Sequence, residues 1–307
     1  MKIIFFGTSD FAAEILKPLI EKFEVLAVVT QPDKAVGRQQ VLAASEVSKI
    51  AESAGIRILK FSTLKNTEAE SEMAGFGADI FVVAAYGKIV PGKILSIPRL
   101  GSINVHASLL PKYRGASPIQ AAIKNGDTET GVTIMLMDEL VDHGPLLAEE
   151  AITIDKDDTT PVLSHKLAIL GQNLLLRTII SYEQGLIGPI EQDHSAATLT
   201  SIIRKEDGKV DWCTDASAIY NLYRAFVSWP GIWTKFNGAV IKINKCACSD
   251  YVSSNKPGTV YKQDEKIFVV CAKGSLQLIE VQLAGKKNTD IQSFVRGHKD
   301  FIGSVLG

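Results

Sequence analysis

The stretch Gly101-Ser-Ile-Asn-Val-His-Ala-Ser-Leu-Leu-Pro-Lys-Tyr-Arg-Gly-Ala-Ser-Pro-Ile119 indicates the type of fold and carries the first candidate site residues. Ile103 and Val105 alternate with Asn104 and His106, which predicts a β-strand with two different faces. The amide of Asn104 and the imidazole of His106 therefore project from one face. Prolines and glycines follow at once, so the polar pair lies where the strand opens into a loop. Active sites of open α/β sheets lie at such strand ends.

The residues before this stretch alternate between short apolar runs and helical segments. Strands are predicted at Ile3–Phe6, Val25–Val29 and Ile80–Ala85, and helices at Phe11–Ile20 and about Ala44–Ala54. Such alternation predicts an α/β fold with a doubly wound, mostly parallel sheet. A nucleotide cofactor is the usual expectation for that fold. However, Gly7-Thr8-Ser9-Asp10 lacks the glycine spacing that lets a backbone approach a pyrophosphate, so dinucleotide binding is disfavoured.

Asp142 supplies the second half of the candidate site. It lies with Asp138 in a loop that follows the alternating residues of a predicted strand, Gly131–Met137. The other elements predicted between residues 118 and 201 are a helix at Pro118–Lys124, a strand at Ile152–Ile154, a long helix from Thr159 to about Gln184 and a linker at Gly185–Ser201. The loop of Asp142 is thus a second place where a strand ends in polar residues.

The last hundred residues differ in character, because short strands with turns between them replace the alternation. One helix is predicted at Ala216–Phe226, and strands at Ala239–Ile243, Gly258–Lys262, Ile267–Ala272 and Ser275–Gln282. This spacing predicts a small barrel or sandwich. The segment Trp229-Pro-Gly-Ile-Trp233 is either a platform for stacked bases or, more commonly, a core or interface element.

Composition and charge exclude several classes of protein. A chain of 307 residues with 46% apolar and 22% charged residues is typical of a globular protein with one large or two smaller domains. No apolar run is long enough for a signal peptide or a spanning helix, so we expect a cytoplasmic protein without membrane contact. Four cysteines occur without a C-x-x-C pair, which predicts reduced thiols, and no metal signature is present.

The net charge of −1 is unevenly divided along the chain. Residues 1–204 carry 19 Lys and Arg against 24 Asp and Glu, whereas residues 205–307 carry 14 against 10. The C-terminal part therefore has a charge of +4, which weakly indicates an anionic partner.

Asn104, His106 and Asp142 together have the groups that direct acyl transfer to an amine requires. The amide of Asn104 donates hydrogen bonds, the imidazole of His106 donates or accepts a proton, and the carboxylate of Asp142 orients an imidazole or accepts a proton. Such a trio can stabilise an oxyanion and move a proton between two bound substrates. Spacing shows only that the trio could perform this reaction. His106 alone could equally be a satisfied polar group at a sheet end.

Several motifs resemble the methionyl-tRNA formyltransferase family over nearly the full length of the chain. They are Phe6-Gly7-Thr8, Thr30-Gln31-Pro32-Asp33 with Gly37-Arg38, Ala85-Tyr86-Gly87, the run from Asn104 to Gly115, Glu129–Met135, Asp142 with Gly144, Trp229-Pro230-Gly231 and Ala284-Gly285-Lys286-Lys287. The resemblance implies direct transfer of a formyl group from 10-formyltetrahydrofolate to the amine of methionyl initiator tRNA, through a tetrahedral intermediate. It implies a Rossmann-like formyltransferase domain at residues 1–187, a linker at 188–203 and an OB-like, tRNA-binding barrel at 204–307. We expect a monomer that needs no metal.

The resemblance also implies roles for individual residues. Asn104, His106 and Asp142 would be catalytic. The folate would contact the loop after the Asn104 strand and the end of the Val83–Gly87 strand, which places these residues at its site: Ser108, Leu109, Leu110, Pro111, Tyr86 and Gly87. Arg38 would enter the acceptor stem of the tRNA, and Lys286 and Lys287 would contact the tRNA body.

The chain departs from the family pattern at two places. Gln39 and Gln40 follow Arg38 where the family usually has lysines, so that loop has fewer cations to hold phosphates. In the loop of the catalytic carboxylate, Leu140 replaces a glycine, a residue type that adopts positive φ easily. In the same loop, His143 replaces a small hydroxyl residue. The simplest expectation is that His143 points to solvent.

Two other functions stay open at this point. A formyltransferase for a small amine, such as a nucleotide-linked amino sugar, can carry a similar tail domain. A non-catalytic RNA-binding protein could keep the fold, but the intact trio of Asn104, His106 and Asp142 argues against it.

Overall fold

The computed structural model describes residues 1–36 and 41–307. Arg38, Gln39 and Gln40 lie outside the described residues. The chain divides into two compact units. The first contains residues 1–118, 129–153 and 164–201, and the second contains residues 119–128, 154–163 and 202–307.

Up to residue 201 the chain alternates between strands and helices, as the sequence predicts. The strands are β1 Lys2–Gly7, β2 Glu24–Val29, β3 Lys34–Val36, β4 Val41–Ala43, β5 Arg57–Leu59, β6 Ile80–Ala84, β7 Ser102–His106, β8 Arg114–Gly115, β9 Glu129–Leu136, β10 Leu146–Thr153 and β11 Leu199–Thr200. The helices are α1 Asp10–Lys22, α2 Glu46–Ser53, α3 Thr67–Gly75, α4 Gly92–Leu95, α5 Pro118–Asn125 and α6 Thr160–Glu183.

Seven of these strands form one sheet in the order β10-β9-β7-β6-β1-β2-β5. The five strands from β7 to β5 are parallel; β9 pairs antiparallel with β7, and β10 pairs antiparallel with β9. The predicted mostly parallel, doubly wound sheet is confirmed. The prediction for β10 was wrong in extent, because the strand begins at Leu146 rather than Ile152. Glu149 and Glu150 interrupt the apolar residues of this segment, so its sequence does not have the pattern of a strand. They are tolerated because β10 is an edge strand with one exposed face.

The strands β1 and β6 are buried on both faces, which is typical of strands in the middle of a parallel sheet. The rings of Phe6 and Phe81 lie 5.3 Å apart in the apolar core. Behind the candidate site, Gly171 lets helix α6 approach the sheet closely: a Cβ at this position would lie 3.3 Å from Cγ1 of Val105 and 3.5 Å from Cγ1 of Val132. Close packing on both β7 and β9 therefore fixes the strand that carries Asn104 and His106.

The second unit contains a small antiparallel, barrel-like domain. Its elements are α7 Ala216–Phe226, β12 Ile232–Phe236, β13 Ala239–Ser249, β14 Val260–Gln263, β15 Lys266–Val270, β16 Ser275–Leu283, β17 Thr289–Asp290 and α8 Ile291–Gly297. The sheet order is β12-β13-β16-β15-β14, and β17 pairs with β16. All four predicted strands are present, whereas β12, β17 and α8 were not predicted.

Two predictions from the sequence concern the cysteines of this unit and the segment Trp229–Trp233. All four cysteines are free thiols, and Cys246 and Cys248 lie in strand β13 as predicted. In the segment Trp229–Trp233, Trp229 is 56% exposed and is not a core residue, whereas Trp233 is half-buried and its Nε1 donates to the carbonyl oxygen of Lys205. Within the described residues, no helix has the length and apolarity needed to cross a membrane.

Candidate active site

Strand β7 brings Asn104 and His106 to the carboxyl edge of the parallel strands. β7 pairs in parallel with β6, so both strands end at the same edge of the sheet. On its other side β7 pairs with β9, in which Thr133 lies opposite His106. His106 is buried and Asn104 is half-buried. The sequence pattern therefore predicted correctly that the two polar side chains share one face.

Asp142 meets both side chains, although it lies far from them along the chain. Its Oδ1 accepts a hydrogen bond from Nδ2 of Asn104 at 3.1 Å and lies 3.6 Å from Nδ1 of His106. Its Oδ2 accepts the backbone N–H of Gly115 at 2.7 Å. The side chain of Asp142 is only 13% exposed. The trio predicted from the sequence thus lies together at the strand end, with a hydrogen bond between Asn104 and Asp142 and His106 beside them.

The surroundings of His106 determine where its protons lie. Nε2 lies 3.0 Å from the carbonyl oxygen of Tyr113, which can only accept, so Nε2 carries a proton and donates to it. Nδ1 then faces the carboxylate of Asp142 across 3.6 Å, which is longer than a hydrogen bond. Nδ1 is therefore the ring atom that remains available to gain or release a proton beside a negative charge.

The backbone around Asp142 is held in a sparsely populated conformation. Asp142 has a φ of 49°, in the left-handed region that non-glycine residues rarely adopt. Leu140 is not among the residues with positive φ in the described part of the chain, and its N–H donates to Oδ1 of Asp138. Replacing the family's glycine by Leu140 therefore introduces no left-handed strain at that position. The strain lies at the carboxylate itself, as is common at functional sites.

His143 does not simply point to solvent. Its Nδ1 lies 2.7 Å from Oδ2 of Asp138, and its ring stacks on that of His194 with centroids 4.1 Å apart. Nδ1 of His194 in turn accepts a hydrogen bond from the guanidinium of Arg114 at 2.9 Å, because an arginine can only donate. His143 thus joins a polar network beside the carboxylate loop.

The predicted folate loop, residues 108–111, packs directly against the trio's strand. The side chain of Ser108 is fully buried and donates to the carbonyl oxygen of Lys112, so it stabilises the loop itself. Leu110 is also buried, and its N–H donates to Oγ1 of Thr133. Leu109 and Pro111 are only partly buried. Of the four, these two expose apolar surface that a ligand could contact.

The β6 end, which carries Tyr86 and Gly87, is strongly bent. Ala85 and Gly87 have φ values of 41° and 76°. The side chain of Tyr86 lies in the apolar core, and burial raises its pKa to about 12. Its carbonyl oxygen accepts hydrogen bonds from Oγ1 of Thr8 and from Nε2 of Gln31. The aromatic ring of Tyr86 therefore contributes to the fold at this edge, and the exposed residues here are its neighbours Ala85 and Gly87.

The predicted tRNA-binding residues belong to other parts of the chain. Lys286 and Lys287 are exposed in the turn after β16, in the second unit. Arg38 lies outside the described residues. Among the residues that the structure describes, no group of three His, Cys, Asp or Glu side chains is placed to hold a metal ion.

Sequence reasoning missed Gln192, His194 and Arg114. Gln192 and Arg114 are buried, with 5% and 6% exposure, and they contact the backbone and neighbours of the carboxylate loop. The segment that carries Gln192 has the glycine and proline content of a linker, so nothing in its local pattern indicates contact with the site. The one feature of the sequence that points to Gln192, His194 and Arg114 is that they are polar residues with no other proposed role.

Comparison with known proteins identifies the family of this chain. The formyl transferase family pattern matches residues 1–179, and that of the formyl transferase C-terminal domain matches residues 202–299. A protein of Caldanaerobacter subterraneus subsp. tengcongensis named methionyl-tRNA formyltransferase is 42% identical over 308 residues and covers 100% of both chains. One of the same name from Caldicellulosiruptor saccharolyticus is 41% identical, again over 100% of both chains.

Solved structures with more distant sequences share the fold. The N-formyltransferase from Helicobacter canadensis, solved with folinic acid and dTDP-3-aminofucose, has a TM-score of 0.69 and 20% identity, and the match covers 91% of this chain and 98% of that one. A sugar 3N-formyl transferase solved with dTDP and 5-N-formyl-THF has a TM-score of 0.67 and 19% identity, with 94% and 99% coverage. On the full-length matches at about 40% identity, the chain belongs to the methionyl-tRNA formyltransferases of the formyl transferase family.

Proposed function

We propose that this protein transfers a formyl group from 10-formyltetrahydrofolate to the free amino group of methionyl initiator tRNA. The single observation that carries this proposal is the buried cluster of Asn104, His106 and Asp142 at the end of strand β7. It supports formyl transfer because the cluster combines a hydrogen-bond donor, a proton carrier and a carboxylate. The relatives that match the whole chain support the choice of tRNA as acceptor.

The proposed roles follow from the contacts of each side chain. The substrate amine attacks the formyl carbon, so a C–N bond forms and the carbonyl oxygen becomes negative. Asn104 and protonated His106 stabilise this oxygen, and Asp142 accepts the proton that the amine loses. Nδ1 of His106, which lies 3.6 Å from Oδ1 of Asp142, is the ring atom that donates a hydrogen bond to the formyl oxygen. The carbonyl then re-forms as the bond from the formyl carbon to the donor nitrogen breaks, and that nitrogen takes the proton that Asp142 accepted from the amine.

The residues at the strand ends fit a folate donor. When bound, 10-formyltetrahydrofolate supplies the formyl group. Leu109 and Pro111 offer apolar surface suited to a flat ring, while Ser108 and Leu110 hold the loop from inside. At the β6 end, Gly87 has a φ of 76° and a Cβ there would lie 2.6 Å from Nε2 of Gln31, so this close approach of Gln31 requires a glycine.

The second unit is proposed to bind the body of the tRNA. Its residues from 205 onward carry a charge of +4, and Lys286 and Lys287 are exposed there. We propose that residues 1–187 act as the catalytic domain and 204–307 as the tRNA-binding domain, joined by 188–203. The family patterns at residues 1–179 and 202–299 support this division. We propose in addition that the enzyme acts as a monomer in the cytoplasm.

The proposal is tested by incubating the purified protein with 10-formyltetrahydrofolate and one acceptor at a time. Charged initiator tRNA should be converted to formylmethionyl-tRNA, and uncharged tRNA should not react. An Asn104→Ala variant that folds normally is the control for the site. A nucleotide-linked amino sugar tests the alternative acceptor class. The proposal of a tRNA substrate fails if the sugar is formylated and the charged tRNA is not.

A further inference from the structure

Gln192 holds the backbone of the carboxylate loop through two hydrogen bonds. Its side-chain Nε2 donates to the carbonyl oxygen of Asp142 at 3.0 Å and to that of Gly144 at 2.7 Å. The first of these carbonyls belongs to the residue whose φ is 49°, and the second lies two residues further along. One amide group thus bridges the turn that aims the Asp142 carboxylate at its partners.

The amide of Gln192 is itself fixed from its other side. Its Oε1 accepts from Nε of Arg114 at 3.2 Å and from Nη2 at 2.6 Å. Arg114 immediately precedes Gly115, whose N–H donates to Oδ2 of Asp142. Hydrogen bonds therefore link Arg114 to Gln192 and Gln192 to Asp142, and Asp142 in turn bonds to Gly115, the neighbour of Arg114. Because Gln192 and Arg114 are both buried, the amide has no second orientation that pairs all its atoms.

The segment from residue 190 to 200 brings Gln192 to this position. Ile190 and Leu146 exchange two backbone hydrogen bonds, of 2.7 and 2.8 Å. At the other end, β11 pairs with β8, and Oγ1 of Thr198 accepts the N–H of Tyr113. The segment is thus anchored on both sides of Gln192, so that its side chain is presented from a fixed backbone.

We infer that Gln192 is a positioning residue for formyl transfer, which acts only through the Asp142 loop. This inference rests on the proposed function of Asp142 as the group that accepts the amine proton. By bonding both carbonyls, Gln192 keeps the loop in its left-handed conformation and the carboxylate within reach of Asn104 and His106. Without it, the loop can relax to a commoner φ, and the carboxylate moves away from the reacting atoms.

The substitution Gln192→Glu separates this role from simple packing. It keeps the size of the side chain and an oxygen for Arg114, but it places a second oxygen opposite the two carbonyls. We expect kcat to fall by about 100-fold, which is the usual cost of a misplacement of about 1 Å at a catalytic group. The KM for the acceptor and the affinity for folate should stay close to those of the unchanged enzyme. Gln184→Glu, the same chemical change at an exposed position, is the matched control and should leave kcat unchanged.

A double substitution gives the decisive readout. If Gln192 acts only through Asp142, then Gln192→Leu should lower kcat in the unchanged enzyme but have no further effect in the Asp142→Ala background. A merely structural role predicts equal losses in both backgrounds. Far-UV circular dichroism and thermal unfolding check that each variant folds, and Gln192→Glu replaces Gln192→Leu if the latter does not.

The outcomes distinguish this inference from the proposed function. If the unchanged enzyme formylates an amino sugar but not tRNA, the acceptor assignment fails. The Gln192 and Asp142 double-substitution experiment is then carried out with the sugar as acceptor, and it tests the positioning role in the same way. If the unchanged enzyme is active and the folded Gln192 variants keep normal kcat, the positioning role of Gln192 is refuted while the proposed function stands.

Discussion

Replacing Asp142 by asparagine tests the core of the mechanism with the smallest change in shape. Oδ1 of the carboxylate accepts from Asn104 and faces His106, and Oδ2 accepts from Gly115. A carboxamide offers a single acceptor oxygen, so its NH₂ group must face one of the two donors. One hydrogen bond is removed from a nearly buried site, together with the negative charge beside Nδ1 of His106.

The expected magnitude follows from these two changes. Removing a proton acceptor from a reacting centre costs about 10²–10⁴-fold in rate. At about 1.4 kcal/mol for each factor of ten, this is a rise of about 3–6 kcal/mol in the activation free energy. The unpaired donor should lower the free energy of unfolding by about 1–3 kcal/mol, which leaves a typical domain folded.

The assay compares kcat and KM of Asp142→Asn with those of the unchanged enzyme, and measures folate affinity by equilibrium titration. We expect a large fall in kcat with little change in the KM for charged tRNA or in folate affinity, because the apolar contacts that we propose for folate lie on the neighbouring loop. Near-normal turnover in a folded Asp142→Asn protein would refute the role of the carboxylate in proton transfer.

Three further predictions concern the rest of the chain. The double substitution of Lys286 and Lys287 by alanine should weaken the binding of charged and uncharged tRNA equally. It should also reduce the slope of log affinity against log salt by about 0.7–0.9 for each phosphate that the protein no longer neutralises, as measured by filter binding. The pKa of the Asp79 carboxyl is lowered by the backbone N–H of Lys2 and by Arg99, so its charged form stabilises the native state. Asp79→Asn should therefore lower the free energy of unfolding by about 0.5–1 kcal/mol at pH 7. Denaturation at decreasing pH should show this difference begin to shrink near the unfolded carboxyl's pKa of about 3.9 and vanish only below the lowered native pKa. Burial raises the pKa of the Cys271 thiol to about 12, so this thiol should react with Ellman's reagent only after unfolding.

The elements that carry strong local patterns were predictable from the sequence. The alternation around Asn104 and His106 placed both on one face of a strand, and the loop of Asp142 followed from the pattern of the next strand. The strand β10 was mostly missed because an edge strand tolerates Glu149 and Glu150 within its span. Local pattern could therefore identify the trio but not every strand that supports it.

The network around the trio could not be read from the sequence. Gln192 contacts Asp142 across 50 residues of chain, and His143 meets His194 only because the segment from 190 to 200 folds back onto the site. Such contacts depend on tertiary packing rather than on periodicity. The left-handed conformation of Asp142 also could not be predicted from the neighbouring residues. The departure from the family pattern lies at Leu140, whereas the positive φ occurs at Asp142.

The choice of acceptor and the role of the carboxylate are tested together by a competition between two acceptors in a single reaction. The protein is mixed with limiting 10-formyltetrahydrofolate, charged initiator tRNA and a dTDP-linked amino sugar, and both formylated products are quantified. We predict that formylmethionyl-tRNA accumulates at the expense of the sugar product, and that the Asp142→Asn variant forms neither at a comparable rate. Preferential formylation of the sugar, or undiminished formylation by the variant, would contradict this prediction.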